Sequence, residues 1–491
     1  MISERDGLMN KLNVQHNVNA RIELFQETCH RFLSKINDPK IVTERLKKDI
    51  IKLIIDEVVV EGENIKIFAT IPFPNKIEER EISRKDLPGT FNVGAMLGPI
   101  NQMKMERIWT KHKNTDTTLK PKVFVGMSGG VDSSVSAVLL KKARYNVTGV
   151  FIKVWQPEWF TCTWREDRLD AMRVAAKLGI PFITLDLEEE YKQEVVDYMI
   201  AEYRLGRTPN PDVMCNKYVK FGGFYKWAMA QGADYVATGH YARIEQVKSQ
   251  KVRVVSDTKN DRLGTFDFRL LTALDTNKDQ SYFLWTLTAD QLAHTLFPVG
   301  DLEKPEVRKY AEKFGLANAD KKDSQGLCFI GKVDVKDFLK RYIEPVRGDV
   351  LSSDGGVIGF HDGATFFTIG ERHGFTITKK TTHDEAYYVV SKDMSRNTIT
   401  VSSFTQMHQS SRDILKIKLI KVNILNPAEI KINYPYTARS RYRQALFVCK
   451  IIVYTDETLQ VAFDKPPESI SPGQSLVLYD WEVCLGGGII E

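Results

Sequence analysis

The chain has 491 residues, about three domains' worth at ~150 residues each, with 43% hydrophobic residues, 27% charged residues and a net charge of +6. These are the proportions of a globular protein; no apolar run reaches the ~18 residues of a membrane span, and Glu4 and Asp6 with no apolar run argue against a secretory or mitochondrial leader. The mild positive charge permits a nucleic-acid partner without demanding one.

Residues 1 to 85 read as an α+β extension. Helical patterns run over Val18 to Ile36 and Ile41 to Leu53, followed by two alternating strands, Glu57 to Glu61 and Asn64 to Thr70, around a turn at Gly62-Glu63. This helix-then-hairpin order weakly resembles the tail of large serine recombinases. Residues 86 to 120 are polar and punctuated by Pro88-Gly89 and Gly98-Pro99, the texture of a linker.

From 121 to about 331 strands and helices alternate, which predicts a parallel sheet with helices on both faces. The first strand, Lys122 to Val125, runs into Gly126-Met-Ser-Gly-Gly-Val-Asp-Ser133 and then a helix from Ser134 to Lys142. Further strands are expected at Gly149 to Val154, Phe182 to Asp186 and Asp234 to Thr238. Further helices are expected at Arg165 to Leu178, Glu190 to Tyr203 and Ser281 to Leu287. From about 332 to 410 short strands with Gly and Asp turns suggest a small, mostly-β central domain. Residues 411 to 491 alternate almost throughout, which suits a C-terminal β-barrel.

The strand–turn–helix at Gly126 to Ser133 carries the chemistry. Its glycines let the backbone turn and approach a ligand closely, and the helix start aims N–H groups and a positive dipole end at an anion. The Walker pattern is absent. The segment resembles instead the PP-loop, Ser-Gly-Gly-x-Asp-Ser, of ATP pyrophosphatases of the adenine nucleotide alpha hydrolase-like fold. Gly126, Met127, Ser128, Gly129, Gly130, Val131, Asp132 and Ser133 are then the expected ATP cradle. Asp132 suits both a helix-capping role and a share in holding the Mg²⁺ that accompanies ATP.

Further motifs follow in order: Gly206-Arg-Thr-Pro-Asn-Pro-Asp212 with Cys215-Asn-Lys217, Ala237-Thr-Gly-His-Tyr241, Asn277-Lys-Asp-Gln-Ser-Tyr-Phe283, Asp323 to Gly331, Arg441-Tyr-Arg-Gln444, Pro472-Gly-Gln474 and Cys484-Leu-Gly-Gly-Gly488. With them the chain from about Lys120 onward resembles the tRNA-specific 2-thiouridylases, the MnmA family. That resemblance implies ATP-dependent 2-thiolation of the wobble uridine, position 34, in the anticodon arm of tRNA. It implies adenylation of the 2-oxygen, then sulfur delivery from a persulfide donor or relay fed by a cysteine desulfurase. Cys328 is implied as the persulfide carrier, Cys215 as the nucleophile, and the two as a transient disulfide. Asn210, Pro211 and Asp212 are implied against the target base, with Asp212 a candidate acid or base. Ile152 and Gly239 are implied at the ATP site, Ile152 departing from the methionine common there. His240, Lys278, Asp279, Gln280, Arg441, Tyr442 and Gln474 are implied on tRNA.

The residues add their own expectations. Cys215 and Cys328 read as loop cysteines beside lysines, a setting that favours thiolate. Cys29, Cys162, Cys449 and Cys484 read as structural, and six scattered cysteines suit a reducing, cytoplasmic setting. No cysteine–histidine spacing builds a metal site. Strand alternation predicts that Arg439, Arg441 and Arg443 share one face, a phosphate-contacting stripe. Two other functions compete: a different PP-loop tRNA enzyme, such as a lysidine synthetase, which needs no cysteine, or a nucleic-acid-binding fusion acting through residues 1 to 85.

Overall fold

A computed structural model describes residues 55–61, 64–73, 76–82, 120–159, 164–248, 266–323, 334–378, 385–403, 415–455, 457–464 and 470–491. The chain divides into two compact units, residues 1–100 and 101–491. In the first, β1 (Ile55–Glu61), β2 (Asn64–Phe73) and β3 (Lys76–Ile82) form an antiparallel sheet in that order. The hairpin expected from the sequence is its first two strands, and β3 extends it. The two helices expected before it lie outside the described residues, as do Cys29 and Cys162.

The second unit opens with a five-stranded parallel sheet. Its strands are β4 (Lys122–Gly126), β5 (Asn146–Lys153), β6 (Phe182–Asp186), β7 (Tyr235–Ala237) and β10 (Thr295–Leu296), in the order β10-β7-β4-β5-β6. Alternation assigns its two faces. Val123 and Val125 pack with α1 (Val131–Lys142) and α2 (Trp164–Leu178), whereas Phe124, Val150 and Ile152 enter the core on the opposite face. That face is covered by α3, residues 188–204, and α4, residues 211–230. Both helices contain π-helical stretches, Lys192–Asp197 and Cys215–Phe224, a form often found at functional sites.

The sheet is filled from β4 outward to β6, after which the chain returns to β7 on the other side of β4. The carboxyl ends of β4 and β7 therefore meet at a topological switch point, where ligands bind in open α/β sheets. Gly126 is the last residue of β4, and Gly239 follows the end of β7 by two residues.

The segment expected as a helix from Ser281 to Leu287 is one 3₁₀ turn, Ser281–Phe283, running into irregular backbone. Tyr282, Leu284, Trp285 and Leu287 are all buried, so no polar face exists to set a helical stripe. The Tyr282 hydroxyl donates to the carbonyls of Ser440 and Ser475, at 2.9 and 3.1 Å, and pins the turn to the barrel.

A short helix α5 (Ala289–Ala293) precedes β10, and α6 (Lys304–Lys313) and α7 (Val335–Leu339) follow. The central domain is a five-stranded sheet, β13-β12-β11-β15-β14, built from β11 (Gly348–Leu351), β12 (Val357–His361), β13 (Phe375–Ile377), β14 (Tyr387–Asp393) and β15 (Thr398–Ser403). The last six strands are β16 (Leu415–Ile424), β17 (Pro435–Arg439), β18 (Phe447–Tyr454), β19 (Thr458–Phe463), β20 (Ser475–Asp480) and β21 (Val483–Ile490). They close into a barrel through pairing of β16 with β21. A hairpin that follows β7 of the parallel sheet, β8 (Arg243–Lys248) and β9 (Phe266–Leu271), adds to β21, so the segment between β7 and β10 lends strands to the barrel sheet. Among the described residues no helix is long and apolar enough to cross a membrane.

Candidate active site

The loop after β4 is shaped by close contacts. Gly129 has φ of +76°, and a Cβ there would lie 2.2 Å from the Asp167 carbonyl oxygen, so only glycine fits. A Cβ on Gly239 would lie 2.6 Å from the Ser133 nitrogen, which lets the end of β7 rest against the first turn of α1. The Ser133 hydroxyl accepts the Ser128 N–H at 3.3 Å and donates to the Gly130 carbonyl at 3.1 Å. Gly130 is the N-cap of α1 and offers no side-chain cap, leaving the 12-residue helix open toward the loop. That open end fits a polyphosphate. Met127 is buried beneath the loop with its N–H on the Val150 carbonyl, and Ile152 is buried near the end of β5.

Asp132, in the first turn of α1, does not stand alone. Its carboxylate accepts from Lys304 Nζ at 2.7 and 2.8 Å and from the Tyr241 hydroxyl at 2.8 Å. Lys304 also pairs with Asp323 at 2.8 Å, and Asp323 is shared with Lys278 and Arg308. Burial alone would raise the Asp323 carboxyl, but hydrogen bonds from Lys278 and Lys304 outweigh it and hold it well below the usual carboxylate range. Asn318 donates to the Gly129 carbonyl at 2.8 Å and to the Ser134 hydroxyl at 2.9 Å. Sequence reading missed Lys304, Tyr241 and Asn318. Tyr241 adjoins the Gly-His motif and Lys304 opens a Glu-Lys-Pro-Glu helix start, but nothing local links either to the loop. Among the described residues no cluster of His, Cys, Asp and Glu could hold a metal ion by itself.

Three motif segments converge here. Gln280 and Tyr241 exchange two hydrogen bonds, Tyr241 N–H to Gln280 Oε1 at 2.9 Å and Gln280 N–H to the Tyr241 carbonyl at 2.8 Å. His240 is buried, with Nδ1 2.7 Å from the Thr238 hydroxyl and Nε2 3.3 Å from Lys220 Nζ. Burial, with Lys220 adding to it, pushes its pKa well below 6.5. The sign follows: above pH 6.5 both states are neutral, and below it the unfolded chain takes up a proton that the folded imidazole refuses. His240→Gln is therefore expected to lose less stability than the parent between pH 7.5 and 5.5, by an amount on the order of 1 kcal/mol. Urea unfolding at the two pH values checks this; equal losses would refute it.

Cys215 corrects an expectation. It does not sit in a polar loop but inside α4, fully buried, where the helix passes into its π-helical stretch. Asn210 is the N-cap, its side-chain oxygen accepting the Val213 N–H at 3.2 Å, with Pro211 at the first helical position and Asp212 in the first turn. Asn-Pro-Asp is a helix start, and this signal was available in the sequence. Asp212 is half-buried. The partner loop, with Cys328, lies outside the described residues. Cys449 and Cys484 are buried in the barrel, where burial pushes both thiols up to about 12.

The arginine stripe is also corrected. β17 ends at Arg439, and Gln444 Oε1 accepts the N–H groups of Ser440 and Arg441, at 2.8 and 3.1 Å, to close a turn. Arg439 points inward to Asp279 at 2.9 Å. Asp279, 3% exposed, also accepts the N–H groups of Ala273 and Ser281 and the Ser281 hydroxyl. Arg441 donates to the Ile369 carbonyl of the central domain at 2.7 Å, and Tyr442 packs on Phe283 with ring centroids 4.7 Å apart. Only Arg443 of the three is exposed. Gln474 is likewise engaged, its amide donating to the Thr208 carbonyl at 3.0 Å, so the Pro-Gly-Gln turn braces the loop that leads to Asn210.

A strand–loop–helix open to phosphate, at the switch point of a parallel sheet with a β-barrel beyond it, defines a PP-loop nucleotide enzyme. Family profiles match residues 121–332 as a tRNA methyl transferase HUP domain, 336–403 as a tRNA methyl transferase PRC-barrel domain and 414–490 as an aminomethyltransferase β-barrel domain. The chain is 43% identical over 382 residues to the tRNA-specific 2-thiouridylase MnmA of Lysinibacillus sphaericus, covering 77% of this chain and 96% of that protein. It is 46% identical over 378 residues to the protein of the same name from Mannheimia succiniciproducens, covering 76% and 92%. The chain belongs to the tRNA-specific 2-thiouridylase family. A U34-tRNA thiolase, NcsA of Methanococcus maripaludis, shares 16% identity over 50% of this chain and 74% of its own at a TM-score of 0.28, too little to carry a structural argument.

Proposed function

We propose that this enzyme replaces the 2-oxygen of the wobble uridine in tRNA by sulfur, using ATP to turn a poor leaving group into a good one. The observation that carries the reading is the seating of the Gly126–Ser133 loop against Gly239 at the switch point, with α1 open toward it. The loop would hold the phosphates through backbone N–H groups and the Ser128 and Ser133 hydroxyls. Asp132 would face any Mg²⁺ that arrives with ATP, and Ile152 and Gly239 would border the nucleotide.

In this reading Asn210, Pro211 and Asp212 meet the target base, and Asp212 moves a proton. Cys328 takes the terminal sulfur of a persulfide donor or relay, whose thiol leaves. The Cys215 thiolate attacks Cys328 Sγ, closing a transient disulfide and releasing hydrosulfide, which adds at C2 as AMP departs with the 2-oxygen. A thiol reductant of the cytoplasm reopens the disulfide. His240, Lys278, Gln280, Arg441 and Tyr442 border the tRNA. For Asp279 and Gln474 the burial and hydrogen bonding above favour support of the tRNA-facing turns over direct contact. The family match favours this over lysidine synthesis or a role centred on residues 1 to 85.

Purified protein incubated with ATP, a persulfide donor and unmodified tRNA is expected to yield 2-thiouridine at position 34, read by mass spectrometry of nuclease digests. Absence of 2-thiouridine, or its formation without ATP, would refute the assignment.

A further inference from the structure

Lys304 holds a position that its own helix does not require. It opens α6, where Glu303 and Glu306 form the capping box and Asp275 accepts the Lys304 N–H at 2.9 Å. The start of α6 is thus fixed by backbone bonds and acidic caps, and a lysine in a first turn opposes the helix dipole. Its side chain, 13% exposed, reaches the first turn of α1, with Nζ between Asp132 and Asp323. The Tyr241 ring lies alongside, its centroid 5.9 Å from Nζ, and the Tyr241 hydroxyl bonds the same Asp132 oxygen as Lys304. An ammonium is therefore held, largely shielded from water, beside a helix end that no side chain caps.

We propose that Lys304 is a polyphosphate-binding residue of the ATP site, its ammonium contacting the oxygens of the β- and γ-phosphates at the mouth of the loop. Asp132 and Asp323 hold it there. A lysine is a point charge with three donors, so it can keep a carboxylate partner and still donate to a phosphate oxygen. Neighbouring Lys278 and Arg308 retain Asp323 as their anion when Lys304 turns toward phosphate. The assignment rests on the ATP-dependent reading above and adds a residue to it from outside the loop motif.

The test measures nucleotide binding by calorimetry in the full-length chain, without tRNA or sulfur donor. Lys304→Met is expected to weaken ATP about 10- to 100-fold, the range of a charged hydrogen bond, and to leave AMP, which lacks the outer phosphates, within about twofold. Because Lys304→Met leaves Asp132 without its cationic partner, the same comparison is made in an Asp132→Asn background. If Lys304 touches phosphate, adding Lys304→Met to Asp132→Asn costs a similar factor in ATP affinity. If Lys304 only masks the Asp132 charge, Asp132→Asn binds ATP equally with and without Lys304→Met, and the proposal fails. An equal loss for AMP and ATP would also overturn it, since that is the mark of a collapsed site. Parent protein that binds no ATP would sink the ATP-dependent reading itself, a separate failure.

Discussion

Cys215→Ser is expected to reduce 2-thiouridine formation to background while tRNA affinity stays within about twofold of the parent, because phosphate contacts supply most of that affinity. A serine hydroxyl matches the thiol in size, so α4 keeps its packing, but it cannot form or break a sulfur–sulfur bond. Cys215 is fully enclosed at the passage from the first turn of α4 into its π-helical stretch, between Asp212 and Lys217. Cys484→Ala makes the contrast: that thiol is buried in the barrel and pushed up to about 12, so it offers no thiolate near neutral pH. The alanine variant is expected to lose stability and keep its rate per folded molecule. Mass spectrometry of tRNA digests and filter binding read the two quantities. Multiple-turnover thiolation by Cys215→Ser under reducing conditions would remove this cysteine from the mechanism.

The parallel sheet was legible because β4, β5 and β6 are short, largely apolar and each followed by helix. The phosphate loop was legible because its glycines and Asp-Ser ending are local. Four other features depended on contacts no local pattern encodes. β10 has two residues, Thr295–Leu296, too few for any periodicity. The β8–β9 hairpin finds its partner β21 about 210 residues later, so its sheet could not be read from its own sequence. Lys304 reaches Asp132 across 172 positions, and its helix-start context gave no reason to place it at a phosphate loop. The turn after Arg439 looks like continued alternation until Gln444 is seen to close it, and that one side chain changes the fate of three arginines.

Arg439→Ala is therefore expected to act on stability and leave the electrostatics of tRNA binding unchanged. The Arg439 guanidinium lies over the Tyr479 ring, 4.8 Å from its centroid, and its Nη2 meets Asp279 at 2.9 Å, with only 9% and 2% of the two side chains exposed. Removing the arginine leaves a buried carboxylate with only neutral donors, from Ala273 and Ser281. Breaking such a pair costs about 3–5 kcal/mol, because the remaining charge has no compensation. The double variant Arg439→Met with Asp279→Leu removes both charges and is expected to recover most of that loss. Urea unfolding of parent, single and double variants reads the energies. Salt titration of tRNA binding by the folded protein reads the other half: a lost phosphate contact lowers the log–log slope by about one unit. An inward Arg439 leaves that slope unchanged. A shallower slope with unchanged stability would mean that Arg439 faces the nucleic acid, as strand alternation alone predicts.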